Sequence, residues 1–182
     1  MEECNGQGVR MSDVARAAGV SRQAVYDHFG SRADLMVATV RYGDTVLGLD
    51  ERLRSYRAAT GGVERLEALV EFWGNYIPEI HGIARALMSA RENDEAVAAA
   101  WDDRMGVVYE ACRDIVERLH GDGALAPGWS LDEAADVLWT MLSIHSWESL
   151  VLERGWPVSR YVGRMQGLSR RAFVRDAGGS SR

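Results

Sequence analysis

From Ser12 to Ala172 the apolar residues of this 182-residue chain recur at steps of three and four. No alternating strand pattern or hairpin signal between β-branched runs interrupts them, which confines the chain to an all-α fold. The first short helix runs from Ser12 to Ala18 and stops at Gly19, a favourable left-handed position. Ser21 caps a second that ends at Phe29-Gly30, and Ser31-Arg32-Ala33-Asp34 opens a long third with the stripe Leu35, Thr39, Tyr42, Val46, Leu49, Leu53. Beyond the break at residues 58–62, the face Leu66, Leu69, Val70, Trp73, Ile77, Ile80 predicts a helix that Pro78 bends or ends, with a short segment at 83–88 after it. Val97, Trp101, Met105, Val108, Cys112, Ile115 and Leu119 predict the next. A capping box at Ser130–Glu133 opens a helix reaching about Glu153, and Pro157 opens the last one. The pattern divides the chain into a module at 1–44 and a helical domain at 45–182.

Composition narrows the function classes. Hydrophobic residues at 47% and charged residues at 26% describe a globular protein. No apolar run approaches the ~18 residues of a membrane span, so no membrane partner is expected. The start of the chain lacks a secretory pattern, and two cysteines, Cys4 and Cys112, fit a reducing cytoplasm. All 21 basic residues are arginine. Without lysine, a Walker A loop, a pyridoxal-phosphate Schiff base and a lysine-dependent kinase site are excluded. The net charge of −6 is uneven: residues 10–41 hold five arginines against three aspartates, whereas 46–182 hold 16 arginines against 21 acids. A mildly basic segment thus precedes an acidic body.

The segment Met11–Leu35 reads as two short helices around a tight Ala18-Gly19-Val20 turn. Val14, Ala17, Val20, Val25 and Phe29 can share one core, while the small Ala15 and Ala18 permit a close crossing. Arg22, Gln23, Tyr26 and Asp27 then face outward. Arginine and glutamine are the side chains best shaped for bidentate contact with guanine and adenine edges in the major groove. Val14-Ala15, Ala18-Gly19-Val20-Ser21, Val25-Tyr26, His28-Phe29 and Ser31-Arg32 resemble the DNA-binding region of the TetR family of transcriptional regulators. Leu152–Pro157 and the helix after it resemble, less specifically, that family's C-terminal pair.

The resemblance implies a homodimeric, all-helical repressor that binds palindromic double-stranded operator DNA. A small-molecule effector in the C-terminal domain would change the separation of its two reading heads. Carried over by position, Ser21, Arg22 and Gln23 fall at the DNA, with Arg22 and Gln23 toward bases. Tyr26 and His28 would touch phosphates, and Arg32 stands where the family has a phosphate-binding lysine. Arg10 falls where the family often has threonine and is another phosphate candidate. One departure stands out: the family carries an amphipathic helix before this motif, and here only Met1–Arg10 precede it. A clipped start or a real loss of that helix is the favoured explanation, over the first residues improvising a cover. A small-molecule-binding helical dimer with lapsed DNA binding is accordingly the alternative function.

In the body, Trp73, Tyr76, Trp101, Met105, Tyr109, Trp139, Leu142 and His145 could converge between helices as a site for a flat or hydrophobic effector. The same stripes also suit plain core packing. The penultimate helix is apolar over a wide arc and the last adds Tyr161, Met165, Leu168 and Phe173, so these two are the expected homodimer interface. His145-Ser-Trp-Glu148 lacks the further carboxylates of a di-iron site, and no Cys-x-x-Cys, Gly-x-Ser-x-Gly or Gly-x-Gly-x-x-Gly motif occurs. Neither an enzyme, a metal nor a cofactor is expected.

Overall fold

The computed structural model describes residues 10–175, and among them every element is helical apart from one isolated antiparallel bridge, Leu125 to Val174. The chain forms two compact units, Met1–Leu49 with Glu79–Met105 and Asp50–Pro78 with Gly106–Arg182. The expected loss or replacement of an N-terminal helix falls on residues 1–9, outside the described residues.

In the first unit, α1 (Met11–Ala18) begins where the Asp13 carboxylate accepts the Arg10 backbone N–H at 3.1 Å. It ends at Gly19, whose φ of 68° lets the Gly19 and Val20 N–H groups close the last turn on Arg16 and Ala15. Ser21 caps α2 (Arg22–Phe29) by accepting the Ala24 N–H at 3.0 Å, and Ser31 caps α3 (Arg32–Val46) through Asp34 at the same distance. Met11, Ala15, Val25 and Leu35 make the small core, with Val14, Tyr26 and Phe29 against it. Ala17 is exposed and Val20 is 48% exposed, contrary to the expected core. Positions 11, 14 and 15 already fill the face of α1 that meets α2, and Val20 lies past the left-handed turn.

The third helix is shorter than its stripe predicts. Gly48, at φ 62°, breaks it after Val46, and two short pieces follow, α4 (Leu49–Arg52) and α5 (Arg54–Ala58). Helix α6 (Gly62–Ala90) instead runs through both Pro78 and the segment expected to be separate. Its first residue is fixed by Asp122, whose carboxylate accepts the Gly62 N–H at 2.7 Å. Helix α7 spans Glu95–Gly121.

The penultimate helix is also interrupted. Ser130 and Glu133 cap α8 (Leu131–Met141) reciprocally, as the capping box predicts. Ser143, extended at ψ 150°, then restarts the chain as α9 (Ile144–Trp147), followed by a π-helical turn at Glu148–Glu153. Helix α10 (Val158–Phe173) closes the fold. Its end is tied to the preceding loop: Ala126 N–H donates to Phe173, Arg175 N–H to Ala124, and the Trp129 indole to Ala172. No helix among the described residues is long and apolar enough to cross a membrane.

Candidate nucleic-acid interface and effector site

Helix α2 carries Arg22 and Gln23 in its first turn, where the Ser21 cap holds the backbone, and both are exposed. Val25 anchors the opposite side of the helix in the core at 4% exposure. Tyr26, half-buried, supports the Arg22 guanidinium 5.4 Å from its ring centroid, a cation–π arrangement that restricts the flexible arginine. Gln23 donates from its amide nitrogen to the Asp27 carboxylate at 2.8 Å. His28 is exposed and meets Phe29 edge-on at 4.5 Å, so Phe29 links it to the core. Arg32 is the first residue of α3 and Arg10 immediately precedes α1; both are exposed. Ser21 is exposed but has its hydroxyl oxygen engaged as a cap. The structure thus places every candidate of this module at its surface or, for Tyr26, partly so. Asp27 joins these residues through Gln23, and its place one turn after that residue is the sequence signal for such a pair.

The body candidates assemble in groups. Trp73, Tyr76 and Leu142 come together in the second unit: the Trp73 indole donates to the Leu142 carbonyl at 2.6 Å and its ring lies 6.3 Å from Tyr76. Phe72, which the stripe does not include, stacks on Tyr76 at 5.2 Å, and Arg52 sits 5.9 Å from the other partner of that stack, the Tyr76 ring. Tyr109 and Trp139 form a T-shaped pair at 6.4 Å, and the Tyr109 hydroxyl donates to Asp136 at 3.1 Å, a bond that raises its pKa. His145 is exposed and lines a groove of about 420 Å³ with Met141, Ser146, Ser149, Leu150, Met165 and Leu168. Trp101 and Met105 belong to the first unit, where Trp101 is buried and Arg91 lies 5.4 Å from its ring.

Of the residues expected at a dimer interface, Tyr161 and Phe173 are fully buried within the protomer, whereas Leu168 is 44% exposed. The Tyr161 hydroxyl is buried without a hydrogen-bond partner among the described residues, and burial pushes its pKa up to about 12. Burial likewise raises Cys112 to about 12, which keeps this thiol protonated and unreactive.

The sequence model of bacterial regulatory proteins of the tetR family matches residues 6–39. The HTH-type transcriptional regulator BetI of Rhizobium meliloti (strain 1021) is 32% identical over 133 residues, covering 70% of this chain and 61% of BetI. The chain spans less than two thirds of the length of the curated relatives it matches. Among solved structures, a transcriptional regulator from Saccharomonospora viridis in complex with choline superimposes with a TM-score of 0.78 at 18% identity, over 94% of this chain and 90% of that one. A TetR-family transcriptional regulator from Rhodococcus sp. gives 0.68 at 17% identity, with the same coverage.

Proposed function

We propose that this chain, which belongs to the tetR family of bacterial regulatory proteins, is a ligand-responsive, DNA-binding transcriptional repressor. In this reading residues 1–44 form the DNA-binding module and 45–182 the ligand-binding and dimerisation domain of a homodimer that acts in the cytoplasm without catalysis. The observation that carries it is the exposed face of α2, where Arg22 and Gln23 stand in the first turn, held by the Ser21 cap and backed by the Met11–Ala15–Val25–Leu35 core. This is the end of a recognition helix that reaches base edges. Tyr26, His28, Arg32 and Arg10 flank it as phosphate contacts, which fix register without reading sequence.

The two copies meet through the last two helices, with Leu168 and the groove beside His145 as the protomer's exposed contribution. The effector is a small hydrophobic or aromatic molecule held in the second unit by the Trp73, Tyr76 and Leu142 group. It shifts the dimer toward a head spacing that no longer fits the two half-sites. A second reading, a cationic effector, starts from the same ring: Arg52 already lies over Tyr76, so a bound cation would take the place of the guanidinium on that aromatic face. The choline bound by the S. viridis regulator has that chemistry.

Fluorescence-anisotropy titration of the full chain against duplex DNA from upstream of its own gene, at two salt concentrations, tests the reading. Selective binding that weakens steeply with salt is expected. A folded dimer without selective binding would instead support the small-molecule-binding alternative. Adding choline or a hydrophobic aromatic compound to the preformed complex then reports which effector class releases DNA.

A further inference from the structure

We infer that Asp27 determines sequence specificity: its carboxylate, joined to Gln23, selects a base that presents an exocyclic amino group, cytosine or adenine, on the contacted strand at one position of each half-site. The inference rests on the DNA-reading role proposed for α2 and deepens it.

An unpaired glutamine reads adenine by accepting from N6 and donating to N7. Gln23 is not unpaired. It shares the exposed side of α2 with Asp27, and their side chains meet at 2.8 Å. A carboxylate offers only acceptors, so the Gln23 atom that meets it is the amide nitrogen. One of the two glutamine N–H groups is therefore committed, while the Asp27 oxygens retain lone pairs that no other described hydrogen bond uses. The pair presents a surface biased toward acceptance, in contrast to the adjoining Arg22, which only donates and is steadied by Tyr26.

In the major groove the hydrogen-bond donors are cytosine N4 and adenine N6; guanine shows O6 and N7, and thymine O4 with its methyl group. A carboxylate set against guanine or thymine meets acceptors and leaves its own desolvated oxygens unpaired. It therefore discriminates by penalising wrong bases as well as by bonding right ones. The same charge opposes the phosphates, so Asp27 lowers affinity for DNA in general while raising selectivity.

The test is selection of bound duplexes from a randomised library by the full chain, followed by anisotropy titrations on four duplexes that differ only at the position concerned. Wild type, Asp27→Asn and Gln23→Ala are compared, with circular dichroism confirming that each folds. Wild type is expected to prefer cytosine or adenine over guanine and thymine by on the order of tenfold, the four duplexes deciding which amino base is taken. Asp27→Asn is expected to bind bulk DNA more tightly and, at this position alone, to lose cytosine, since an amide pairs with adenine and only the carboxylate accepts from cytosine N4 without also donating. Gln23→Ala should keep a reduced preference for the same bases. If wild type selects an operator and Asp27→Asn selects it with unchanged base preferences, the inference is overturned while the DNA-binding reading stands. If none of the three selects any sequence, the DNA-binding reading itself fails and the inference with it.

Discussion

The indole nitrogen of Trp73 donates to the carbonyl oxygen of Leu142 at 2.6 Å, joining positions 69 residues apart at the point where α8 gives way to α9. A helix end leaves its last carbonyls without intrahelical partners, and a buried carbonyl must find one elsewhere. Trp73 supplies it from the middle of α6. The aromatic cluster proposed to meet the effector is therefore fastened to the break in the helix proposed to meet the second copy.

Replacing Trp73 with Phe removes the donor and leaves the Leu142 carbonyl buried and unpaired. The cost is about 1–3 kcal/mol, beyond any loss of packing volume. For a chain of this size that corresponds to a fall in Tm of roughly 2–4 °C per kcal/mol, readable by thermal denaturation. An unchanged Tm would show that this hydrogen bond does not hold the break.

Gly62 presents the opposite kind of constraint. A Cβ there would lie 2.6 Å from the Leu119 nitrogen and 2.9 Å from its Cα, and backbone atoms cannot rotate aside. Alanine ordinarily favours a helix by about 1 kcal/mol over glycine. Here Gly62→Ala is expected to destabilise, by about 1–3 kcal/mol, because the start of α6 must move off α7 and lose the Asp122 bond. Denaturant unfolding measures the sign, and a stabilised variant would contradict the close approach.

The helical class, the caps at Ser21, Ser31 and Ser130, and the exposed side of α2 were legible in the sequence because each depends on local chemistry. The breaks after Val46 and Met141 were not. In both places the apolar stripe continues across the interruption, so periodicity alone cannot register a left-handed Gly48 or a restart at Ser143. Pro78 misled in the other direction, since α6 passes through it. The Gln23–Asp27 pair is not legible from residue type alone, which suggests one role for glutamine, whereas its partner changes what it offers.

Tyr161 gives a pH prediction. Its hydroxyl is buried, lacks a hydrogen bond among the described residues, and titrates only at about 12 because burial disfavours the phenolate. In the unfolded chain it titrates near the ordinary value of 10.0. Its folded pKa is raised, so below about pH 10 both states are protonated and stability is unaffected. As pH rises toward 12 the unfolded state loses the proton first and stability falls. Tyr161→Phe is therefore expected to leave stability near neutral pH unchanged or slightly higher, and to flatten the alkaline loss. Denaturant midpoints at pH 7.5 and 11, roughly either side of the ordinary tyrosine value, make the comparison. A Tyr161→Phe variant much weaker at neutral pH would mean that the hydroxyl has a partner.

Ser21 and Arg32 separate fold from DNA contact within the proposed reading module. The Ser21 oxygen caps α2 at 3.0 Å from the Ala24 nitrogen, so Ser21→Ala is expected to destabilise by about 0.5–2 kcal/mol. Aspartate is an equally good cap, yet its charge opposes phosphate. Ser21→Asp should retain stability and lose DNA affinity if the cap lies against the backbone of the duplex. Arg32 is exposed, with no cap to supply, and Arg32→Ala is expected to leave unfolding unchanged. If it contacts one phosphate in each half-site, it weakens binding equally across sequences and lowers the salt slope by about 1 per contact. Arg32→Lys should restore most of that slope, since a point charge suffices for phosphate. Paired unfolding and salt-dependent anisotropy measurements distinguish these roles, and an unaltered salt slope in Arg32→Ala would remove Arg32 from the interface.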